Sequence, residues 1–203
     1  MKSRLLIFAV AAAIALAVGL SLALREQAPA EPTAAFVLPA AETLPSFELI
    51  DQNGQAFGPE QFQGQWDLVF FGFTHCPDIC PTTLQTLAAA RQQLIDDNAA
   101  VVPRIVLVSV DPERDTPELM GQYVDYFGDD NLGITGELEQ IRQLAKSLYV
   151  YFDKVPLDNG DYTVDHSPAV LMIDADGRYH AGFAGIQSSD VYARDVALIT
   201  GQR

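Results

Sequence analysis

The chain has 203 residues, 49% of them hydrophobic and 19% charged, with 14 glycines and 12 prolines. This is ordinary composition and length for one globular domain, and it excludes collagenous, low-complexity and wholly disordered chains. Twelve lysines and arginines against 27 aspartates and glutamates leave a net charge of −15, so a nucleic-acid partner, which needs a clustered basic surface, is excluded. Two cysteines are too few for a disulfide scaffold or a four-sulfur metal site, but enough for one redox pair or one two-thiolate site.

Residues 1–4 carry Lys2 and Arg4 and read as a cytoplasmic N-terminus. A charge-free run follows at 5–24, and twenty helical residues rising about 1.5 Å each span roughly 30 Å, the thickness of a bilayer core. The expectation is a single uncleaved transmembrane anchor; a cleaved signal peptide is the alternative. No cysteine closes the run, so a lipid-modified N-terminus is not expected. Everything beyond Arg25 then lies outside the cytoplasm, in an oxidising space where a free thiol pair needs a reductant or a metal to persist. Residues 26–203 hold nine basic against 27 acidic side chains, a net of −18, and should be repelled by anionic headgroups. Residues 25–45, rich in alanine and proline, read as a semi-extended tether of up to roughly 60 Å.

From residue 46 onward one domain is expected, running to 203. Phe47, Leu49 and the turn ending at Gly54, followed by Phe57, read as a short peripheral hairpin. Residues 66–73 (WDLVFFGF) and 104–110 (RIVLVSV) are continuous apolar runs of strand length, which implies a central, largely parallel sheet. Between them an amphipathic helix starts near Cys80 and Pro81 and carries Leu84, Leu87, Leu94 and Ile95. Thr116, Pro117 and Glu118 open a second helix through Phe127, by hydroxyl cap, preset φ and an acid at the positive dipole end. A third helical period covers 138–148. Residues 169–173 and 179–183 form a hairpin around the turn at 174–177, and a last helix begins near Ser188. This order is that of a thioredoxin-like α/β fold, a central mixed sheet flanked by helices.

The chemistry concentrates at Cys76-Pro-Asp-Ile-Cys80, between the first apolar strand and its helix. Sulfurs four residues apart at a helix start lie on one side, close enough for a disulfide or a shared metal ion. The helix N-terminus favours thiolate over thiol. As an inert staple a loop of about five residues would contribute only roughly 2 kcal/mol, so that role fits poorly. Three intervening residues, against the two typical of dithiol oxidoreductases of this fold, leave room for an ion between the sulfurs. His166 lies 90 residues from Cys76, yet the loop before the 169–173 strand runs beside the active-site helix in such a sheet. Asp165 or a backbone carbonyl would fix its tautomer. Two thiolates and an imidazole suit Cu(I) and Cu(II), one ion per chain, whereas zinc would want a fourth ligand, for which the sequence offers only Asp78 or water.

FFGFTHCPDICPTTL (70–84), VSVDPERDTPELMGQYV (108–124), Ile134-Thr-Gly136 and YTVDHSPAVLMIDADG (162–177) resemble the Sco/SenC family of membrane-anchored copper proteins. The resemblance spans about residues 46–185. It implies a thioredoxin-like fold, copper held by Cys76, Cys80 and His166, and a part in maturing the binuclear copper site of cytochrome c oxidase. Pro168 departs from many relatives. It stands where thioredoxins carry a cis-proline, which leaves open a thiol-exchange role for Cys76 and Cys80 as a redox-active disulfide.

Five further features are assigned no part in the chemistry. Asp111 to Asp115 (DPERD) is expected to cap and fix a loop, His75 to project away from the cysteines, and His180 to be exposed. The turn 174–177 has the flavour of a calcium loop but lacks its remaining ligands. The acidic stretch 153–165 is expected to be solvated and mobile, and to attract a cationic partner surface. The leading reading is a copper metallochaperone on the periplasmic face of a bacterial inner membrane. Its expected partners are the copper-accepting oxidase subunit and other periplasmic copper chaperones or a thiol reductant. The alternative is a thiol-disulfide oxidoreductase that reduces the acceptor's cysteines; a peroxidase fits the cysteine pair least.

Overall fold

The computed structural model describes residues 10, 12–21 and 30–201. They belong to two compact units, Met1–Glu31 and Pro32–Arg203. In the first, residues 12–21 are helical, with Ile14, Leu16, Val18 and Leu20 exposed. Among the described residues no helix is long and apolar enough to cross a membrane. Residues 5–9, 11 and 22–24 of the predicted 5–24 span, the 1–4 segment and the tether residues 25–29 lie outside the described residues.

The second unit runs in the order β1 (Phe36–Thr43), β2 (Leu49–Asp51), β3 (Ala56–Phe57), a 3-10 turn (Pro59–Phe62), β4 (Asp67–Gly72) and α1 (Ile79–Asp96). β5 (Arg104–Ser109), α2 (Pro117–Asp125), β6 (Leu132–Thr135) and α3 (Leu138–Ser147) follow. The chain ends with β7 (Phe152–Pro156), β8 (Tyr162–His166), β9 (Val170–Ile173), β10 (Arg178–Phe183) and α4 (Ser189–Gly201). Eight strands form one sheet, ordered β1-β10-β9-β4-β5-β6-β2-β3, while β7 and β8 pair only with each other. β4, β5 and β6 are mutually parallel and the remaining pairs antiparallel, so the sheet is mixed. Strands β4 and β9 are buried along their whole length, as the uninterrupted apolar runs predict.

The predicted helices are present, each within a few residues of its expected bounds. Helix α1 buries Cys80, Leu84, Leu87 and Leu94 on one face, whereas Ile95 turns outward. Thr116 caps α2, its hydroxyl accepting from the Leu119 N–H at 3.3 Å, and the helix stops at Asp125, short of Phe127. Gly133 in β6 lets α2 approach closely, since a Cβ there would stand 3.0 Å from that of Met120.

Three expectations require correction. The tether does not extend to residue 45, because residues 36–43 form edge strand β1, paired with β10. Its period is hidden: most of its side chains are exposed, and Pro39 sits where the register shifts, as proline does at sheet edges. The hairpin β2–β3 is present at the periphery but is no separate ornament: β2 pairs with β6, so the hairpin forms one edge of the main sheet. The stretch 153–165 is not a solvated loop but mostly the hairpin β7–β8, closed by Leu157 N–H to Asp161 C=O at 2.8 Å. There Phe152 and Val164 face inward while acidic residues take the outward positions.

The ladders also fix which end of the sheet is which. Phe70 pairs with Val170, Val170 with Phe183, and Phe36 with Gly182. Strand β1 therefore begins at the end where β4 finishes, close to the cysteines. Just before it, the N–H groups of Thr33, Ala34 and Ala35 all donate to one carboxylate oxygen of buried Asp195, at 2.9, 2.7 and 3.0 Å. Burial pushes the Asp195 carboxyl up, but those three donors and Arg194 outweigh it and hold it below the usual range.

Candidate metal centre

Strand β4 delivers the chain to a short loop that returns through Cys76, whose N–H donates to the Phe73 carbonyl at 3.3 Å. Cys80 follows in the first turn of α1, fully buried, while Cys76 stays partly exposed. Both are free thiols. The Cys80 N–H points at the Cys76 sulfur, 3.4 Å away, so the helix start donates to the thiolate as its geometry predicts. Gly72, the last residue of β4, makes room for this turn: a Cβ there would lie 2.9 Å from the Cys80 sulfur and 2.9 Å from the Phe70 ring.

His166 closes β8, where its Nε2 stands 3.5 Å from the Cys80 sulfur. It is thus on a strand end rather than a free loop. Its Nδ1 donates to the Ser167 carbonyl at 3.2 Å, which leaves the Nε2 lone pair facing the sulfur. The backbone carbonyl, not the exposed Asp165, orients the ring. Phe70 and Phe73 flank it edge-on, with ring centres 5.7 and 6.0 Å away. Among the described residues Cys76, Cys80 and His166 form the one cluster of potential metal ligands, their donor atoms all within 4.8 Å of one another. Asp78 is exposed and outside that cluster.

The two sulfurs are electrostatically unlike. Cys76 is pulled down to about 4, chiefly by the hydrogen bond from the Cys80 thiol, against burial and with help from the N–H groups of Cys80 and Asp78. Sharing that bond and buried, Cys80 is pushed up and keeps its proton. The pair is a thiolate beside a thiol, with the thiolate on the open side. A groove of about 470 Å³ leads to it, lined by Phe73, Ile79, Val155, Val164 and Pro168 beside Cys76 and His166.

The loop 111–115 fixes its surroundings, as expected. Buried Asp115 accepts from the Thr74 hydroxyl at 2.6 Å, the Thr74 N–H at 3.2 Å and the Ser109 hydroxyl at 2.7 Å, and so holds the segment just before Cys76. Burial pushes its carboxyl up, opposed by those donors. His75 points outward, its Nδ1 3.0 Å from the Thr74 hydroxyl. His180, expected to be exposed, packs instead on Trp66 with ring centres 5.2 Å apart, and its Nδ1 is 3.6 Å from buried Asp174. His180 and Asp174 lie toward the opposite end of the sheet from the cysteines, where Asp67 pairs with Ile173. The 174–177 turn is the expected hairpin turn, with Asp174 bonded to its own loop's N–H groups. No peptide bond among the described residues is cis, so Pro168 is trans, and the extended chain beside it continues the hairpin through Ser167 N–H to Tyr151 C=O at 2.9 Å.

The SCO1/SenC family model matches residues 37–201 of this sequence. The chain belongs to the SCO1/SenC family. A SCO2-like protein of Rickettsia prowazekii is 40% identical over 139 residues, 68% of this chain and 67% of that protein. The copper-bound ScoI structure of Arabidopsis thaliana superposes with a TM-score of 0.74 at 35% identity, covering 78% of this chain and 98% of that one. Copper-bound ScoI of Bradyrhizobium japonicum gives 0.67 at 36% identity, covering 77% and 99%. The fold is therefore the thioredoxin-like α/β fold of Sco proteins, as the order of elements predicts. Sequence reasoning found all three clustered donors. It missed Gly72, whose service to Cys80 acts across eight residues and leaves no local signal, and the pairing of Thr74 with Asp115.

Proposed function

We infer that this protein binds one copper ion through Cys76, Cys80 and His166 and delivers it to the binuclear copper site of cytochrome c oxidase during assembly. The observation that carries the reading is the convergence of two sulfurs and an imidazole nitrogen within 4.8 Å, with the imidazole lone pair already aimed inward. The donors are soft to borderline, which suits copper in both oxidation states. Two thiolates balance Cu(II) and leave one net negative charge on Cu(I), tolerable at a helix N-terminus. A tetrahedral zinc site would need a fourth protein ligand that the described residues do not place there. The partly exposed Cys76 gives an acceptor's thiols a route to the metal by ligand exchange.

The 5–24 segment would anchor the domain to the outer face of a bacterial inner membrane. With residues 33–35 held by Asp195 and 36–43 in the sheet, the linker from 25 to 32 is eight residues long, roughly 28 Å at most when extended.

The test is anaerobic copper titration of the reduced full chain in detergent, wild type beside His166→Ala and Cys76→Ser. One copper per chain, weakened in His166→Ala and largely lost in Cys76→Ser, supports the reading; weak binding indifferent to His166 overturns it. The thiolate beside a thiol favours one second reading, reduction of an acceptor disulfide. Cys76 would attack it to give a mixed disulfide, and Cys80 would then release the acceptor as a dithiol, leaving a Cys76–Cys80 disulfide for an external thiol to reduce. That activity survives His166→Ala without copper, whereas chaperoning does not.

A further inference from the structure

The third ligand is mounted differently from the sulfurs. Its hairpin, β7–β8, shares no ladder with the main sheet, so its position rests on side-chain packing. Strand period places Tyr162, Val164 and His166 on one face of β8, with Tyr162 about 13 Å along the strand from His166. What grips Tyr162 therefore levers His166.

That grip comes from the loop 111–115. The Arg114 guanidinium lies 3.9 Å from the centre of the Tyr162 ring and 5.9 Å from that of Phe73, the ring that flanks His166. Its Nη1 donates to the Tyr162 carbonyl at 3.2 Å and stands 3.6 Å from Asp161. Its Nε donates to buried Asp111, whose other oxygen accepts from the Tyr162 hydroxyl at 2.8 Å. The remaining guanidinium nitrogen is buried without a hydrogen-bond partner, a cost consistent with a side chain held against aromatic faces. Lys154 covers the Tyr162 ring as well, 4.4 Å from its centre, and pairs with Glu113 at 2.6 Å. The same five-residue loop ends in Asp115, which fixes Thr74 two residues before Cys76.

We propose that Arg114 is a positioning residue for the imidazole: through Asp111 and Tyr162 it sets how far the His166 nitrogen stands from the sulfurs of Cys76 and Cys80. The proposal rests on copper binding by these three residues. Loosening Arg114 leaves the sulfurs in place and frees the imidazole. Thiolates alone retain Cu(I), while imidazole contributes most to Cu(II), so the two oxidation states respond unequally.

The experiment measures Cu(I) and Cu(II) affinities of the reduced full chain by chelator competition, with the Cu(II) EPR spectrum. It compares wild type, Arg114→Leu, Arg114→Lys, Tyr162→Phe, His166→Ala and the Arg114→Leu/His166→Ala double variant. Arg91→Leu is the control, an equally buried arginine paired with Asp130 elsewhere. Arg114→Leu should weaken Cu(II) about tenfold, the scale of losing a group that orients a ligand, with Cu(I) changed far less. That ratio raises the copper reduction potential by about 59 mV per tenfold for one electron. Arg114→Lys should restore part of the loss and Arg91→Leu should do nothing. In the double variant Arg114→Leu should add no further loss, because its effect passes through His166. Equal losses for both oxidation states, additive losses in the double variant, or unchanged Cu(II) binding and EPR spectrum overturn the proposal. If Arg114→Leu does not fold, Tyr162→Phe, which removes only the hydroxyl bonded to Asp111, should show the same oxidation-state bias at a smaller size, and its absence overturns the proposal equally. Failure of the wild type to hold copper defeats the functional reading itself, and the proposal with it.

Discussion

The segment that carries the cysteines and the hairpin that carries the histidine meet at one point but are held by different physics. Cys76 and Cys80 stand at the junction of β4 and α1, a fully buried central strand and a helix whose buried face runs through Leu84, Leu87 and Leu94. His166 ends a two-stranded ribbon whose outer positions, Val155 among them, are exposed, and which is tied down by Arg114 and Lys154. Two donors are built into the core and one is fastened to it. For the copper delivery proposed above, such a split would let the fastened donor leave without unfolding the rest.

The sharpest way to break the comparison is to remove a core-mounted donor. Cys80→Ser should cut copper affinity by about a thousandfold, roughly 4 kcal/mol, in either oxidation state, measured by chelator competition. His166→Ala, on the fastened side, should cost about ten- to a hundredfold for Cu(II) and clearly less for Cu(I). Equal losses for both ions in His166→Ala would mean that the hairpin is as integral to the centre as the helix.

Gly72→Ala tests how tightly the core side is built. The new methyl would meet the Cys80 sulfur and the Phe70 ring at 2.9 Å, so a stability loss of about 1–3 kcal/mol is expected by denaturant titration. The lost stability should be accompanied by weaker Cu(I) binding, because the displaced group is a sulfur proposed to hold the ion. Normal stability with normal binding would show that the strand end has slack.

The same division explains what the sequence made legible. Buried β4, β5 and β9 show as unbroken apolar runs, and the Cys76/Cys80 pair stands at a strand-to-helix turn, where the helix N–H groups stabilise thiolates. The histidine was legible only through the fold that brings it there. The elements that escaped are those with exposed faces: β1, with Pro39 inside it, reads as linker, and β7–β8, with Asp153 and Asp165 outward, reads as an acidic loop. In both, pairing comes from partners distant in sequence or from contacts such as Arg114 on Tyr162, which leave no local period.

Reactivity against pH sharpens the contrast between the two sulfurs. With Cys76 held at about 4, its thiolate is the dominant form across pH 5 to 8, so alkylation of the reduced, copper-free chain should be nearly flat over that range. An ordinary thiol, mostly protonated there, would react about tenfold faster for each unit of rising pH. The modified site should be Cys76, because Cys80 is buried and keeps its proton. A rising profile, or modification at Cys80 first, would reverse the assignment of thiolate and thiol.

The smallest expected effect concerns the outer face of the hairpin. Asp153 and Asp165 are directly opposite in the ladder and both exposed, a like-charge pair that weakens the ribbon, and Asp158 adds a third carboxylate at its turn. A cationic partner surface would relieve that repulsion as it approached the groove at Cys76. Because these groups are solvated, their influence should fall on the association rate and not on the lifetime of the complex, and it should fade once salt shortens the screening length to a few ångströms. Asp161 is a poor probe, since it also faces Arg114 at 3.6 Å and its loss would disturb the mounting of the hairpin. Asp158→Asn is the cleaner change. Stopped-flow transfer of copper to the reduced oxidase subunit should slow by about two- to threefold at low ionic strength and match wild type at 1 M salt, where the screening length is about 3 Å. A slowing that persists at high salt would place Asp158 within the contact itself, and no slowing at either would leave the acidic face without a part in docking.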